Sequence, residues 1–226
     1  MKTILLATVI MLLIIPGKAA DIYMGPKVGI NFSTMMITRD ATRAERNAFE
    51  NNKRMFVGYN AGANFFIRFN NYIGLEPEFN FTMKGLKYVN NNNSSSATTR
   101  VMQIEWPVML KAGYGKSNYM VYGSFGPYFT VNTAGTNIIR NPETTVKSSM
   151  DFNNFRRGDV GLGFGFGGMK YMKKGALDIE FRYNMGLLKQ VKPVVDPNTR
   201  WSSFGLNMAY IFKVKETNRP ATKTEL

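Results

Sequence analysis

The stretch DVGLGFGFGG, residues 159–168, reads in two incompatible ways. Gly163, Gly165 and Gly168 form G-x-G-x-x-G, the spacing with which a strand–turn–helix unit approaches a phosphate. The same residues also alternate with period two. Val160, Leu162, Phe164 and Phe166 fall on one face, and Gly161, Gly163, Gly165 and Gly167 on the other. A phosphate loop needs a break in the chain and then a helix whose N-terminus meets the anion. Here the apolar alternation passes straight through the glycines, and no Lys-Ser/Thr follows as a P-loop requires. The stretch is therefore expected to be a strand with one apolar face and one bare face. Glycine weakens a strand, so it needs a reason. The next segment offers one: Asp178, Glu180 and Arg182 would need room on the same side.

Period two recurs along the whole chain after residue 22. Val57, Tyr59, Ala61, Ala63, Phe65 and Ile67 alternate with Gly58, Asn60, Gly62, Asn64, Phe66 and Arg68. Leu75, Phe79, Phe81 and Met83 alternate with Glu76, Glu78, Asn80, Thr82 and Lys84. Ile104, Trp106, Val108 and Leu110 alternate with Glu105, Pro107, Met109 and Lys111. The same pattern sets Ile179, Phe181 and Tyr183 against Glu180, Arg182 and Asn184, and Phe204, Leu206 and Met208 against Gly205, Asn207 and Ala209. A first segment over 22–37 carries Val28, Ile30 and Phe32 on one face; a segment over 119–131 is ambiguous in phase. With residues 159–168 this makes eight segments, longer than the roughly five or six residues of an ordinary soluble strand. They suit tilted strands crossing a bilayer, which need about nine to eleven residues.

The connections alternate in length. Long polar ones fall at 38–55, 89–99, 132–157 and 190–200, and short ones at 70–71, 113–118 and 171–175. That is the pattern of an all-β, eight-stranded antiparallel up-and-down transmembrane barrel, with long loops outside and both termini in the periplasm. Tyr72, Tyr114, Tyr119 and Tyr171 beside the short turns, and Tyr88 and Trp201 at the opposite ends, are expected to form two interfacial girdles. The fold-level rival is a soluble ligand-binding barrel, with the apolar face inside and the polar face wet.

The N-terminus supports export. Lys2 precedes an apolar run over residues 4–15, and small residues lead to a cut after Ala19. The expected organisation is a signal peptide over 1–19, a barrel over 20–214 and a disordered periplasmic tail over 215–226. The net charge is +14, or +12 once Lys2 and Lys18 are removed. A basic exported protein suits anionic lipid phosphates. The charges form no stripe, which argues against nucleic acid. Arg39, Arg43, Arg46, Lys53 and Arg54 against Asp40, Glu45 and Glu50 make the first long loop mildly basic, suited either to plain solvation or to bridging lipopolysaccharide phosphates. The chain has no His, which removes Ser-His-Asp catalysis and His-based metal sites, and no Cys, which removes disulfides and a lipid anchor.

If the apolar face meets lipid, the inward set includes Arg68, Glu76, Glu78, Lys84, Glu105, Lys111, Asp159, Asp178, Glu180 and Arg182. An ion-pair network filling the lumen is one reading; a polar path or a carboxylate pair such as Glu76 and Glu78 is the other. Pro77, Pro107 and Pro127 cannot donate to a ladder. They mark either bulges or a weak lateral seam that passes a lipid or apolar ligand.

Four motifs in order resemble PorT-type outer-membrane β-barrel proteins: GPKVGINFS (25–33), LEPEFNFTMKGLKY (75–88), IEWPVMLKAGYG (104–115) and YGSFGPYF (122–129). The resemblance, running from about residue 24 to 212, implies an eight-stranded outer-membrane barrel without a known enzymatic site. In some relatives it implies a part in secretion. The combined expectation is a structural or interaction protein of the outer membrane, with no catalytic, cofactor or metal site. Its partners would be outer-membrane lipid, lipopolysaccharide included, and other envelope proteins. Ligand or lipid transport, and a lipid-modifying enzyme, are the alternatives.

Overall fold

The computed structural model describes residues 20–37, 43–90, 94–116, 118–153, 155–190 and 199–215. Nine strands and one helix follow in chain order: β1 (Asp21–Ile37), α1 (Arg43–Asn52), β2 (Lys53–Arg68), β3 (Ile73–Asn90), β4 (Ser95–Gly115), β5 (Tyr119–Arg140), β6 (Thr145–Ser149), β7 (Gly158–Tyr171), β8 (Gly175–Gly186) and β9 (Thr199–Lys215). Each sequential neighbour pairs antiparallel, except that β7 pairs with β5 in place of β6; β1 pairs with β9, and β5 pairs with both β4 and β7. Eight strands thus close into a ring, and closure removes every edge that lipid would otherwise touch. The remaining strand, β6, hangs from the long-loop end of β5.

Side-chain direction settles the polarity of the wall. Val57, Val121 and Phe166 are 60–65% exposed on the outer face, while Glu76 and Lys111 are fully buried inside. Phe164 and Ile179 also point outward. The soluble rival, with these rings in a core, is therefore overturned. Cross-strand aromatic pairs tile the outer wall: Phe125–Phe164 at 5.1 Å, Phe166–Phe181 at 5.3 Å and Tyr183–Phe204 at 4.8 Å between centroids. The ambiguous phase of β5 resolves with Val121, Phe125 and Pro127 outward and Tyr122, Ser124 and Tyr128 inward.

DVGLGFGFGG lies wholly within β7, laddered on one side to β5 and on the other to β8. Among the described residues no glycine has positive φ, so these glycines serve space and not backbone curvature. The bare face receives Tyr128 against Gly161, Met109 against Gly163, Ser124 and Glu180 against Gly165, and Tyr122 against Gly167. Of the three charged residues expected there, Glu180 alone is among the nearest atoms; the other side chains are Met109 of β4, Tyr122, Ser124 and Tyr128 of β5, and Asn184 of β8.

Several expectations change. The first long connection, 38–55, contains α1, whose Phe49 packs onto the barrel mouth. The second and third hold β-structure, because β3, β4 and β5 run past the length a bilayer requires and β6 extends them. Tyr171 and Trp201 belong to neither girdle. Both are buried inside, because they fall on the inward parity of β7 and β9. Tyr72 and Tyr114 are exposed at the short-turn end. The prolines produce no bulge. Register shifts occur instead at Ile22/Tyr23, Met55/Asn60 and Met102/Gln103. The proposed signal peptide, Arg39, Asp40 and residues 216–226 lie outside the described residues.

Candidate functional site

The lumen is filled in layers. At the short-turn end Tyr23, Phe66, Met120, Tyr122, Met169 and Tyr171 form an apolar plug. At the long-loop end Met35, Val101 and Trp201 from the barrel meet Met150 and Phe155 from the β6–β7 connection, with Phe49 and Phe152 packed against them. Charged and amide side chains lie between these two apolar layers.

The charged layer draws on five strands. Lys27 of β1 donates to Glu78 of β3 at 2.7 Å. Arg182 of β8 forks onto both oxygens of Glu78, at 2.6 and 3.1 Å, and also donates to Glu180. Lys111 of β4 donates to Glu76 at 2.7 Å and to Asp178 at 2.6 Å. From β5, the Tyr122 hydroxyl donates to Asp178 and the Ser124 hydroxyl to Glu180. The Lys111 ammonium sits 4.4 Å from the Tyr122 ring centroid and so joins the charged layer to the aromatic plug. Charges this deep are tolerable only when paired and hydrogen-bonded, and the alternation of the strands brings them there because the outer face belongs to lipid.

Six of the ten inward residues named above therefore meet in one cluster: Glu76, Glu78, Lys111, Asp178, Glu180 and Arg182. Lys84 and Glu105 make a separate pair nearer the long-loop end, with Thr82 donating to the same carboxylate. Asp159 accepts from the backbone amides of Val160 and Leu188. Arg68 turns to the short-turn end, donating to Asn71 and to the Lys116 carbonyl and stacking 3.9 Å from the Tyr171 centroid. Sequence reasoning missed Lys27, although the outward parity of Val28, Ile30 and Phe32 places it inside. It also missed Tyr122 and Ser124, because the β5 sequence carries aromatics on both faces.

Glu76, Glu78 and Glu180 bring carboxylate oxygens within 4.8 Å of one another, close enough for a cation. Lys27, Lys111 and Arg182 already occupy that position, so a metal would have to displace them. Glu78 is held by Lys27 and Arg182 and Glu76 by Lys111, so the two carboxylates named as a pair sit inside the ion-pair network. Above the cluster Asn31, Asn60, Asn80 and Asn207 line a cavity of about 20 Å³, enough for one water molecule.

Pro77 lies opposite Val108, and Pro107 opposite Tyr128. The β3–β4 ladder stops after Pro77↔Val108 and resumes at Asn80↔Glu105; the β4–β5 ladder stops after Pro107↔Tyr128 and resumes at Leu110↔Phe125. The register is kept across both gaps. Pro127, opposite Leu162, leaves the β5–β7 ladder whole.

A family model described as "Outer membrane protein beta-barrel domain" matches residues 18–190. No curated protein matches. Similar solved structures include OprG from Pseudomonas aeruginosa, at 11% identity over 88% of this chain and 98% of that one, TM-score 0.48. Neisserial surface protein A is similar at 12% identity over 85% and 99%, TM-score 0.43. Ail of Yersinia pestis, solved with the heparin analogue sucrose octasulfate, is similar at 13% over 86% and 99%, TM-score 0.39.

Proposed function

The chain belongs to the outer membrane protein β-barrel domain family and resides in the outer membrane, and we propose that there it acts as a closed scaffold whose ends meet partners. The observation that carries this reading is the filled lumen: two apolar plugs enclose a paired charge layer, and the cavity beside that layer holds about one water. On this reading the long-loop end, with α1 and the β3–β6 extension, faces outward and offers the interaction surface. The termini lie in the periplasm, export uses a leader cut near Ala19, and the tail after the barrel is a disordered periplasmic end. No chemistry is assigned to the chain. The order of motifs from GPKVGINFS to YGSFGPYF supports placement among PorT-type barrels, and a link to secretion or envelope assembly is part of that proposal. Lipid of the outer leaflet, lipopolysaccharide included, and other envelope proteins are the proposed partners. In planar bilayers the purified protein is expected to show no steady single-channel conductance; stepwise opening would overturn the scaffold reading.

A second reading has its own observation. The β3–β4 and β4–β5 ladders each lose two consecutive pairs in the quarter of the wall that carries Pro77, Pro107 and Pro127, and hydrogen bonds missing in lipid are costly. A lateral seam passing a lipid or small apolar ligand would use that quarter.

A further inference from the structure

The outer wall carries a groove of about 480 Å³ at its long-loop end, lined by Thr34, Met36, Met55, Tyr183, Ser202 and Phe204, with Glu50, Lys53 and Arg54 at the rim. We infer that this groove is a binding site for one anionic outer-leaflet lipid, an acyl chain below and a phosphate above. The inference deepens the scaffold reading and rests on its assignment of the long-loop end to the outer leaflet.

The order of chemistry along the groove matches such a lipid. Register places Phe204 of β9 opposite Phe32, with Tyr183 of β8 beside it, at the bottom. Two residues up, Ser202 pairs with Thr34. Lys53 and Arg54 begin β2 at the top, about four residues above Val57, the partner of Phe32, or about 13 Å along the strand. Apolar rings come first, the hydroxyls with Met55 beside them next, and the cations last, with Met36 at their level. An acylated phosphosugar presents hydrocarbon, ester or amide carbonyl and phosphate in that sequence.

A second, independent observation points into the same groove. Thr34 is nine-tenths buried and its hydroxyl has no hydrogen-bond partner. A buried donor without an acceptor is costly, and an acyl carbonyl in the groove supplies one. Ser202 and Tyr183 bond to each other through their hydroxyls at 3.1 Å, forming the opposite wall of the same level. At the rim, Arg54 is exposed and held by the carbonyls of Asn51 and Lys53, both at 2.9 Å. That posture presents a guanidinium without tying it to a carboxylate. Lys53 is paired with Glu50 at 2.6 Å, a contact exposed enough to exchange for phosphate. Lys87, opposite Arg54 in register, is exposed beside the groove without lining it.

The test uses the purified, refolded protein in detergent, where membrane orientation plays no part, so its failure leaves the conductance result untouched. Native mass spectrometry would follow binding of diphosphorylated lipid A, dephosphorylated lipid A and the soluble, deacylated phosphosugar. Diphosphorylated lipid A should bind most tightly, and the double variant Lys53→Gln, Arg54→Gln should lose roughly tenfold or more in affinity. Glu50→Gln should tighten binding, and because this change frees Lys53, a folding defect cannot mimic it. Met36→Trp should weaken the acylated probe by filling the groove. Equal binding of the dephosphorylated lipid overturns the phosphate assignment, and equal binding of the deacylated sugar overturns the groove. Binding unchanged in the double variant, or weakened by Glu50→Gln, overturns the site as a whole.

Discussion

Two quarters of the same wall solve the crowding of a narrow barrel in opposite ways. β7 gives up side chains. Gly161, Gly163, Gly165 and Gly167 leave a bare inner face, yet every residue from Gly158 to Lys170 stays in its ladder with β5. The β3–β4–β5 quarter gives up backbone donors. Pro77, Pro107 and Pro127 keep their rings, and two consecutive pairs drop out of each ladder. Glycine costs volume and proline costs hydrogen bonds; lipid punishes the second more, because no water replaces what is lost. The proline quarter carries a compensation on its inner face. Glu78 follows Pro77 directly, within the β3–β4 gap, and its carboxylate is gripped by Lys27 from β1 and Arg182 from β8. Where β3 loses its grip on β4, side chains tie it across the lumen to two other strands.

The largest effect is expected on the glycine side. A Cβ at Gly165 would lie 2.8 Å from the Phe181 carbonyl and 2.9 Å from Glu180, and closer still to Ser124. Gly165→Leu should therefore exceed the roughly 1–3 kcal/mol of ordinary overpacking and abolish the heat-modifiable folded band on gels. Gly123→Leu, where the nearest atoms to a Cβ lie 3.9 Å away, should leave that band intact. If both variants fold, glycine is not there for space and the comparison breaks.

Next comes the clamp. Glu78→Gln leaves two buried cations short of a counter-charge and should cost about 3–5 kcal/mol in urea titrations of the barrel in vesicles. The loss should be local as well as global. Amide exchange at Phe79 and Trp106, which lie in the gap, should accelerate more than exchange in β7. Uniform acceleration around the ring would mean that the network holds the lumen together without favouring the gap.

The smallest effect belongs to Pro107→Ala. Restoring one donor should change stability by no more than about 1 kcal/mol and leave uptake of an apolar dye by proteoliposomes unaltered. A clear fall in uptake would establish the lateral seam in place of the scaffold.

Much of the wall is legible in the amino-acid sequence. Alternation alone assigns Phe164, Ile179 and Phe204 to one face and Glu180, Arg182 and Lys111 to the other, because successive strand residues must point opposite ways. Coincidence between distant strands is not legible. Nothing near Lys27 or Ser124 announces Glu78 or Glu180, and the aromatic content of β5 conceals which of its faces is inner. The chemistry of Trp201 and Tyr171 suggests an interfacial place, whereas their parity puts them inside. Side-chain preference is a weaker guide than the pleat. Residues 38–55 look like plain loop because their polarity hides a short helix whose apolar contribution to the mouth comes chiefly from Phe49.

The sequence by itself determined the strand pattern and which residues share a face, since both follow from a local period that survives without knowledge of neighbours; which of the two faces meets oil was decided only by the direction of the side chains in the closed ring. The tertiary structure decided which charges meet, which end of the cylinder each apolar plug closes, and that a groove of aromatic rings and hydroxyls lies beneath two cations. Those facts depend on register between strands far apart in the chain, and register is fixed only when the ring closes.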